Sequence, residues 1–172
     1  DLIFAGLRDE RNGETHWINH GFYEGRSTSS FDAIQYLASY GDLIADYGYN
    51  LTQAIVHYIN YGIFEGRSTD GFNEARYLAS NPDLVRAGIL GATDAANHWI
   101  NDGFREGRAL NRFNEADYLA SYDDLLSSFG TNSDAAFGHW LSNGIQEGRT
   151  ITFNPARYIA SYPDLIQAFG YD

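Results

Sequence analysis

The chain has 172 residues, a net charge of −12 and no Cys or Met, and its 11 basic residues are all Arg. An acidic surface repels nucleic-acid phosphate and anionic lipid, so neither is an expected partner, and without Cys there is no disulfide frame, thiolate metal site or catalytic thiol. No run approaches the roughly 20 apolar residues of a membrane span and no signal peptide is recognisable, so membrane insertion is not expected; an acidic, sulfur-free chain starting at Asp1 reads as a mature or excised extracellular piece.

The chain opens in mid-repeat. Asp1-Leu2-Ile3 matches Asp42-Leu43-Ile44, Asp83-Leu84-Val85, Asp124-Leu125-Leu126 and Asp164-Leu165-Ile166. A longer block sets the period: HWINHGFYEGR from His16, HYINYGIFEGR from His57, HWINDGFREGR from His98 and HWLSNGIQEGR from His139, each starting 41 residues after the last. Constant spacing is the mark of an array in which each unit covers its neighbour's apolar face. The expected fold is all-α, a tandem-repeat helical solenoid with about three short helices per repeat. Residues 1–172 form one repeat domain: a half repeat 1–30, repeats 31–71, 72–112 and 113–152, and a half repeat 153–172.

Each repeat is punctuated three times. Asp32, Asn73, Asn114 and Asn154 are N-cap types for a first helix, with Pro155 at its first position. The Phe before each cap and the Tyr four residues after it (Phe31 with Tyr36, Phe72 with Tyr77, Phe113 with Tyr118, Phe153 with Tyr158) have hydrophobic-staple spacing. Ser39, Ser80, Ser121 and Ser161 then precede an Asp by three, a capping-box spacing for a second helix. Pro82 and Pro163 fall in its first turn, and Gly6, Gly48, Gly88, Gly130 and Gly170 sit as its stops. A third helix is expected from Thr52, Thr93 and Asp134, with Asn12 in place of Arg11 in the first copy. It should close at Gly21, Gly62, Gly103 and Gly144 in a Schellman ending, the next residue (Phe22, Ile63, Phe104, Ile145) touching Trp17, Tyr58, Trp99 or Trp140.

The repeated residues invite chemical readings. His16, His57, His98 and His139 titrate near neutrality and are ligand types. Yet one per repeat puts them on the order of 10 Å apart, too far to share a zinc ion, so a structural histidine bonded to a neighbouring loop is the favoured reading. His20 is expected to face solvent. The pairs Glu24/Arg26, Glu65/Arg67, Glu106/Arg108 and Glu147/Arg149 read as inter-repeat clamps, with the recurring Asp of the second helix as a partner, rather than as four acid–base sites. Asp9-Glu-Arg-Asn-Gly-Glu14 is the nearest approach to a calcium loop, but Arg11 stands where an oxygen ligand belongs. Tyr23, Tyr49, Tyr61 and Tyr171 break the repeat; flat rings at such places suit sugar faces or protein interfaces equally, and plain surface tyrosine is as good a reading as both together. No Ser-His-Asp order, phosphate loop or His-Glu-x-x-His helix occurs, so no catalytic, metal or cofactor residues are assigned.

The composite Phe-(Asn/Asp)-x-x-x-Tyr-Leu-Ala-Ser-x-x-Asp-Leu, Phe-Gly, His-(Trp/Tyr)-x-x-x-Gly-x-x-Glu-Gly-Arg resembles a tandem repeat of secreted and surface proteins of bacteria, often beside calcium-binding RTX segments or secreted hydrolase domains. The resemblance covers essentially the whole chain. It implies an extracellular accessory or adhesive module and brings no catalytic residue, and the RTX calcium motif itself is missing. The expected role is protein–protein contact, head-to-tail self-association or surface adhesion without catalysis; the alternative is a polysaccharide-binding accessory of a secreted hydrolase.

Overall fold

The computed structural model describes residues 10–170. Among them there are helices and no strands. The first helix of each repeat is α2 (Ala33–Ala38), α5 (Glu74–Ser80), α9 (Glu115–Ala120) and α12 (Pro155–Ala160). The second is α3 (Gly41–Tyr47), α6 (Pro82–Arg86), α10 (Asp123–Phe129) and α13 (Pro163–Phe169). The third is α1 (Glu10–His16), α4 (Leu51–His57), α7 (Ala92–His98) and α11 (Ser133–His139). Each third helix runs on into a π-helical turn (Trp17–Gly21, Tyr58–Gly62, Trp99–Gly103, Trp140–Gly144), followed in one repeat by the single turn α8 (Phe104–Glu106).

Helices this short are marginal alone, so caps and packing must hold them. Asp32 accepts from the N–H groups of Ile34 and Gln35, Asn114 from Asp117 and Asn154 from Arg157, as first-helix caps should. The staple rings meet, at 5.6 Å for Phe31 with Tyr36 and for Phe113 with Tyr118. Gly48, Gly88, Gly130 and Gly170 take positive φ at the second-helix ends; Gly6 lies outside the described residues.

Three local expectations are corrected. The serines do not cap the second helix, whose N-cap positions are Tyr40, Asn81, Tyr122 and Tyr162 without a side-chain cap bond. Ser39 Oγ instead donates to the Gln35 carbonyl and accepts from the N–H groups of Gly71 and Phe72, and Ser121 does the same with Asp117, Thr152 and Phe153. A hydroxyl with its donor satisfied one turn back is left as an acceptor for the next repeat's first N–H groups. The third helices begin earlier than expected: Asn50 and Asn132 cap α4 and α11, Gly91 precedes α7, and Asn12 is inside α1. Asn ranks above Thr as a cap because its carbonyl reaches the second or third N–H readily.

The third correction concerns the ends of those helices. None of Gly21, Gly62, Gly103 and Gly144 has positive φ, and the chain passes through them in π geometry, with Phe22 N–H on the Trp17 carbonyl (3.1 Å) and Ile145 N–H on that of Trp140 (3.0 Å). The left-handed stop comes at the glycines of Glu-Gly-Arg: Gly25, Gly66, Gly107 and Gly148, with φ between 66° and 72°. There Arg67 N–H reaches the Gly62 carbonyl at 2.9 Å and Gly66 N–H that of Ile63 at 3.4 Å, the paired bonds of a Schellman motif one turn later than the sequence suggested.

The chain divides into two compact units: the described residues through Glu74 with Gly91–Arg108, and Ala75–Leu90 with the described residues from Ala109 on. The division runs through the repeat 72–112, whose segments are shared between the units. In the first unit α2 packs on α4 of its own repeat and on α7 of the following one, around Tyr36, Leu37 and Leu43. In the second, α9 packs on α10 and α11, and α12 on α13, with Tyr118, Leu125 and Ile145 buried.

Candidate functional site

The repeated histidine and glycine serve one buried node. Tyr36 is 0% exposed, and its hydroxyl lies 2.9 Å from His57 Nδ1; Tyr118 and His139 repeat the contact at 2.9 Å. The histidine's partner is therefore a first-helix tyrosine of its own repeat, not a neighbouring loop. Gly62 and Gly144 pass directly over these hydroxyls: a Cβ at Gly62 would lie inside van der Waals contact of the Tyr36 oxygen, 3.1 Å from Cζ and 3.2 Å from Tyr58 Cδ2. Burial pushes the Tyr36 and Tyr118 phenols up to about 12. Such a node orders a core.

The aromatic of each third helix reaches one repeat further. Trp99 is buried, stacks on Phe72 with centroids 6.1 Å apart, and donates its indole N–H to the Ala38 carbonyl at 3.1 Å. Trp140 stacks on Phe113 at 5.1 Å and donates to the Ala79 carbonyl at 2.9 Å. Tyr58 and Trp17 are half-buried.

The arginine of Glu-Gly-Arg folds back within its own repeat instead of bridging two. Arg67 makes a two-pronged contact with Asp42 (3.1 and 2.7 Å) while its Nε bonds Glu65 and its guanidinium lies 4.6 Å from the Tyr40 ring centroid. Arg149 repeats this with Asp124 (3.0 and 2.8 Å), Glu147 and Tyr122. Arg26 pairs with Glu24, and Arg108 with Glu106. Polar side-chain links between successive repeats include two on the first helices: Gln35 Nε2 donates to Glu74 (2.8 Å), and Arg76 pairs with Glu115. The signal was a donor type at one phase and Glu as the first residue of the next repeat's first helix.

The arginine bonds hold the Asp42 and Asp124 carboxyls below the usual range. A lowered carboxyl contributes stability above its ordinary pKa and loses it as pH falls through the lowered value; a raised phenol contributes fully below its ordinary pKa of about 10 and loses it on the way to about 12. Thermal melts followed by circular dichroism should therefore weaken at both extremes. Asp42→Asn should be less stable than the parent near neutrality, and the gap should close below about pH 4. A gap unchanged at pH 2 would show that the Arg67 bond is not its source.

Of the irregular tyrosines, Tyr23 is 79%, Tyr61 58% and Tyr49 44% exposed, and the Tyr49 hydroxyl donates to Asn97 Oδ1 at 2.9 Å. Tyr171 lies outside the described residues. His16 is half-buried and His20 exposed, with ring centroids 5.4 Å apart. Glu10–Glu14 of the suspected calcium stretch is helical, with Asp9 outside the described residues. Among the described residues no group of three potential metal ligands occurs, and no helix is long and apolar enough to cross a membrane. A concavity of the second unit, about 300 Å³, was not anticipated: it is lined by Pro82, Arg86, Arg112, Phe113, Trp140 and Arg149, among others. Comparison with family models, with curated proteins and with solved structures finds no match to this chain.

Proposed function

We propose that the chain is a non-catalytic extracellular repeat module, a helical solenoid whose repeats lean on one another, serving protein–protein contact, self-association or surface adhesion. One observation carries the reading. The indole of a third helix is seated on the first helix of the preceding repeat twice, 61 residues apart each time, through Trp99 on Ala38 and Trp140 on Ala79. The repeated residues are thus spent on joining helices.

The last first-and-second helix pair carries the same residues uncovered. On α12 and α13, Tyr158 and Ile166 are each 50% exposed, whereas Tyr36 and Ile44 at the same positions of α2 and α3 are 0% and 5% exposed. The occupant this face fits is a third helix of the repeat's own sequence, supplied by a further repeat or by a second copy. The half-buried Trp17, whose indole makes no hydrogen bond among the described residues, is the complementary group. Sedimentation equilibrium should show association that grows with concentration and is abolished by Ile166→Glu. A strict monomer at every concentration would overturn the self-association reading.

The exposed rings of Tyr23 and Tyr61 favour a second reading, a carbohydrate-binding accessory of a secreted hydrolase. Titration with acidic and neutral polysaccharides under Trp fluorescence separates the two. A saturable change that disappears in Tyr23→Ala or Tyr61→Ala supports the second.

A further inference from the structure

The second unit contains a pocket that the repeat does not explain. Its walls include Trp140, Phe113 and Pro82, and its rim includes Arg86, Arg112 and Arg149. The chain has 23 acidic residues against 11 arginines, yet three guanidiniums and no carboxylate line this space. Two of the three arginines interrupt the repeat: Arg86 stands where the preceding repeat has Ala45, and Arg112 where it has Gly71.

The first unit shows why the space is open. There Phe104 lies against Gly41, with ring Cε2 2.8 Å from where a Cβ would be, and it meets Trp99 edge-on at 5.7 Å. The equivalent pair in the second unit is Ile145 and Pro82. A branched aliphatic side chain reaches less far than a phenyl ring, so the groove beside Trp140 is not filled from within. Ile145 also fixes the rim, because its carbonyl accepts from Arg86 Nε at 3.2 Å and leaves the terminal nitrogens of that guanidinium unused. Among the described residues the Arg112 side chain makes no hydrogen bond, while its backbone N–H is held by Ser80 Oγ at 2.8 Å. Arg149 is already committed to Asp124 and Glu147.

We propose that this pocket binds a small organic carboxylate about the size of one six-membered ring, its apolar face against the Trp140 and Phe113 wall and its carboxylate on Arg86 and Arg112. About 300 Å³ is at the small end of ligand sites, enough for one ring. A guanidinium matches a carboxylate with two parallel N–H donors, which a neutral sugar or a spherical ion does not use. This inference is independent of the self-association reading, since none of its residues belongs to α12 or α13.

The test is titration of the whole chain with galacturonate, benzoate, neutral galactose and sulfate, followed by the NMR shift of the Trp140 indole N–H and by calorimetry. Saturable binding of galacturonate identifies a sugar acid and of benzoate an aromatic acid; either supports the proposal, with galactose and sulfate at least tenfold weaker. Arg112→Ala and Arg86→Ala should each weaken binding at least tenfold, and Arg112→Lys should not restore it. Arg112→Ala removes no side-chain bond, so it reports even where Arg86→Ala unfolds. No saturable shift, equal binding of sulfate, or affinity unchanged in Arg112→Ala would overturn the proposal.

Discussion

Gly62→Ala is expected to destabilise the chain by about 3 kcal/mol, and adding Tyr36→Phe should recover part of that loss. Gly62 is in right-handed helical geometry, where Ala is intrinsically the better residue by roughly 1 kcal/mol, so propensity alone predicts a gain. What opposes it is space: the new methyl would fall on the Tyr36 hydroxyl, inside a core where Tyr36 cannot retreat. Tyr36→Phe alone should cost about 1 kcal/mol, the net value of the bond to His57 Nδ1. In the double variant the oxygen is gone, but Tyr36 Cζ and Tyr58 Cδ2, at 3.1 and 3.2 Å from the new methyl, keep the site tight. A denaturant-unfolding double-mutant cycle measures the coupling. A neutral Gly62→Ala, or additive effects in the pair, would mean that the close approach is not what requires glycine.

Gly66, four residues on, gives the contrast. A Cβ there meets nothing within 4 Å, but φ is +69°, so the cost to any other residue is conformational, roughly 1–2 kcal/mol. In the sequence these two glycines look alike, each recurring with the same period. That ambiguity is why the helix stop was placed one turn early. Periodicity marks a position as constrained and does not say whether the constraint is a dihedral angle or a neighbour.

Other elements were legible because their causes are local. Asp32, Asn114 and Asn154 cap helices that begin beside them, and Gly48 and Gly130 end helices whose last residues adjoin them. Ser39 was misread because its partners, Gly71 and Phe72, are 32 and 33 residues away. A residue with a plausible local role and a real distant one shows only the first in a linear reading. The pocket beside Trp140 was hidden for a related reason. It arises where Arg86 and Arg112 depart from the repeat beside Ile145, at a phase that Phe and Ile share, and departures look like tolerated variation until folding brings them together.

Trp140→Ala should be the most damaging single change in the second unit, costing about 4 kcal/mol. The side chain is 5% exposed, stacks on Phe113, meets Tyr118 edge-on at 5.0 Å, and donates its N–H to Ala79. Trp140→Phe separates these contributions. It keeps most of the ring contact and leaves the Ala79 carbonyl without its donor, an expected loss of about 1–3 kcal/mol. Trp17→Ala is the informative comparison. In dilute protein that half-buried ring should cost less than half as much, because less apolar area leaves water when it packs. If a second copy covers it, the cost grows with protein concentration, since association stabilises only the folded partner. Thermal melts of Trp17→Ala and Trp140→Ala, dilute and concentrated, therefore separate an indole that holds its own chain from one that joins two. A Trp17→Ala deficit unchanged with concentration would leave that ring no part in assembly.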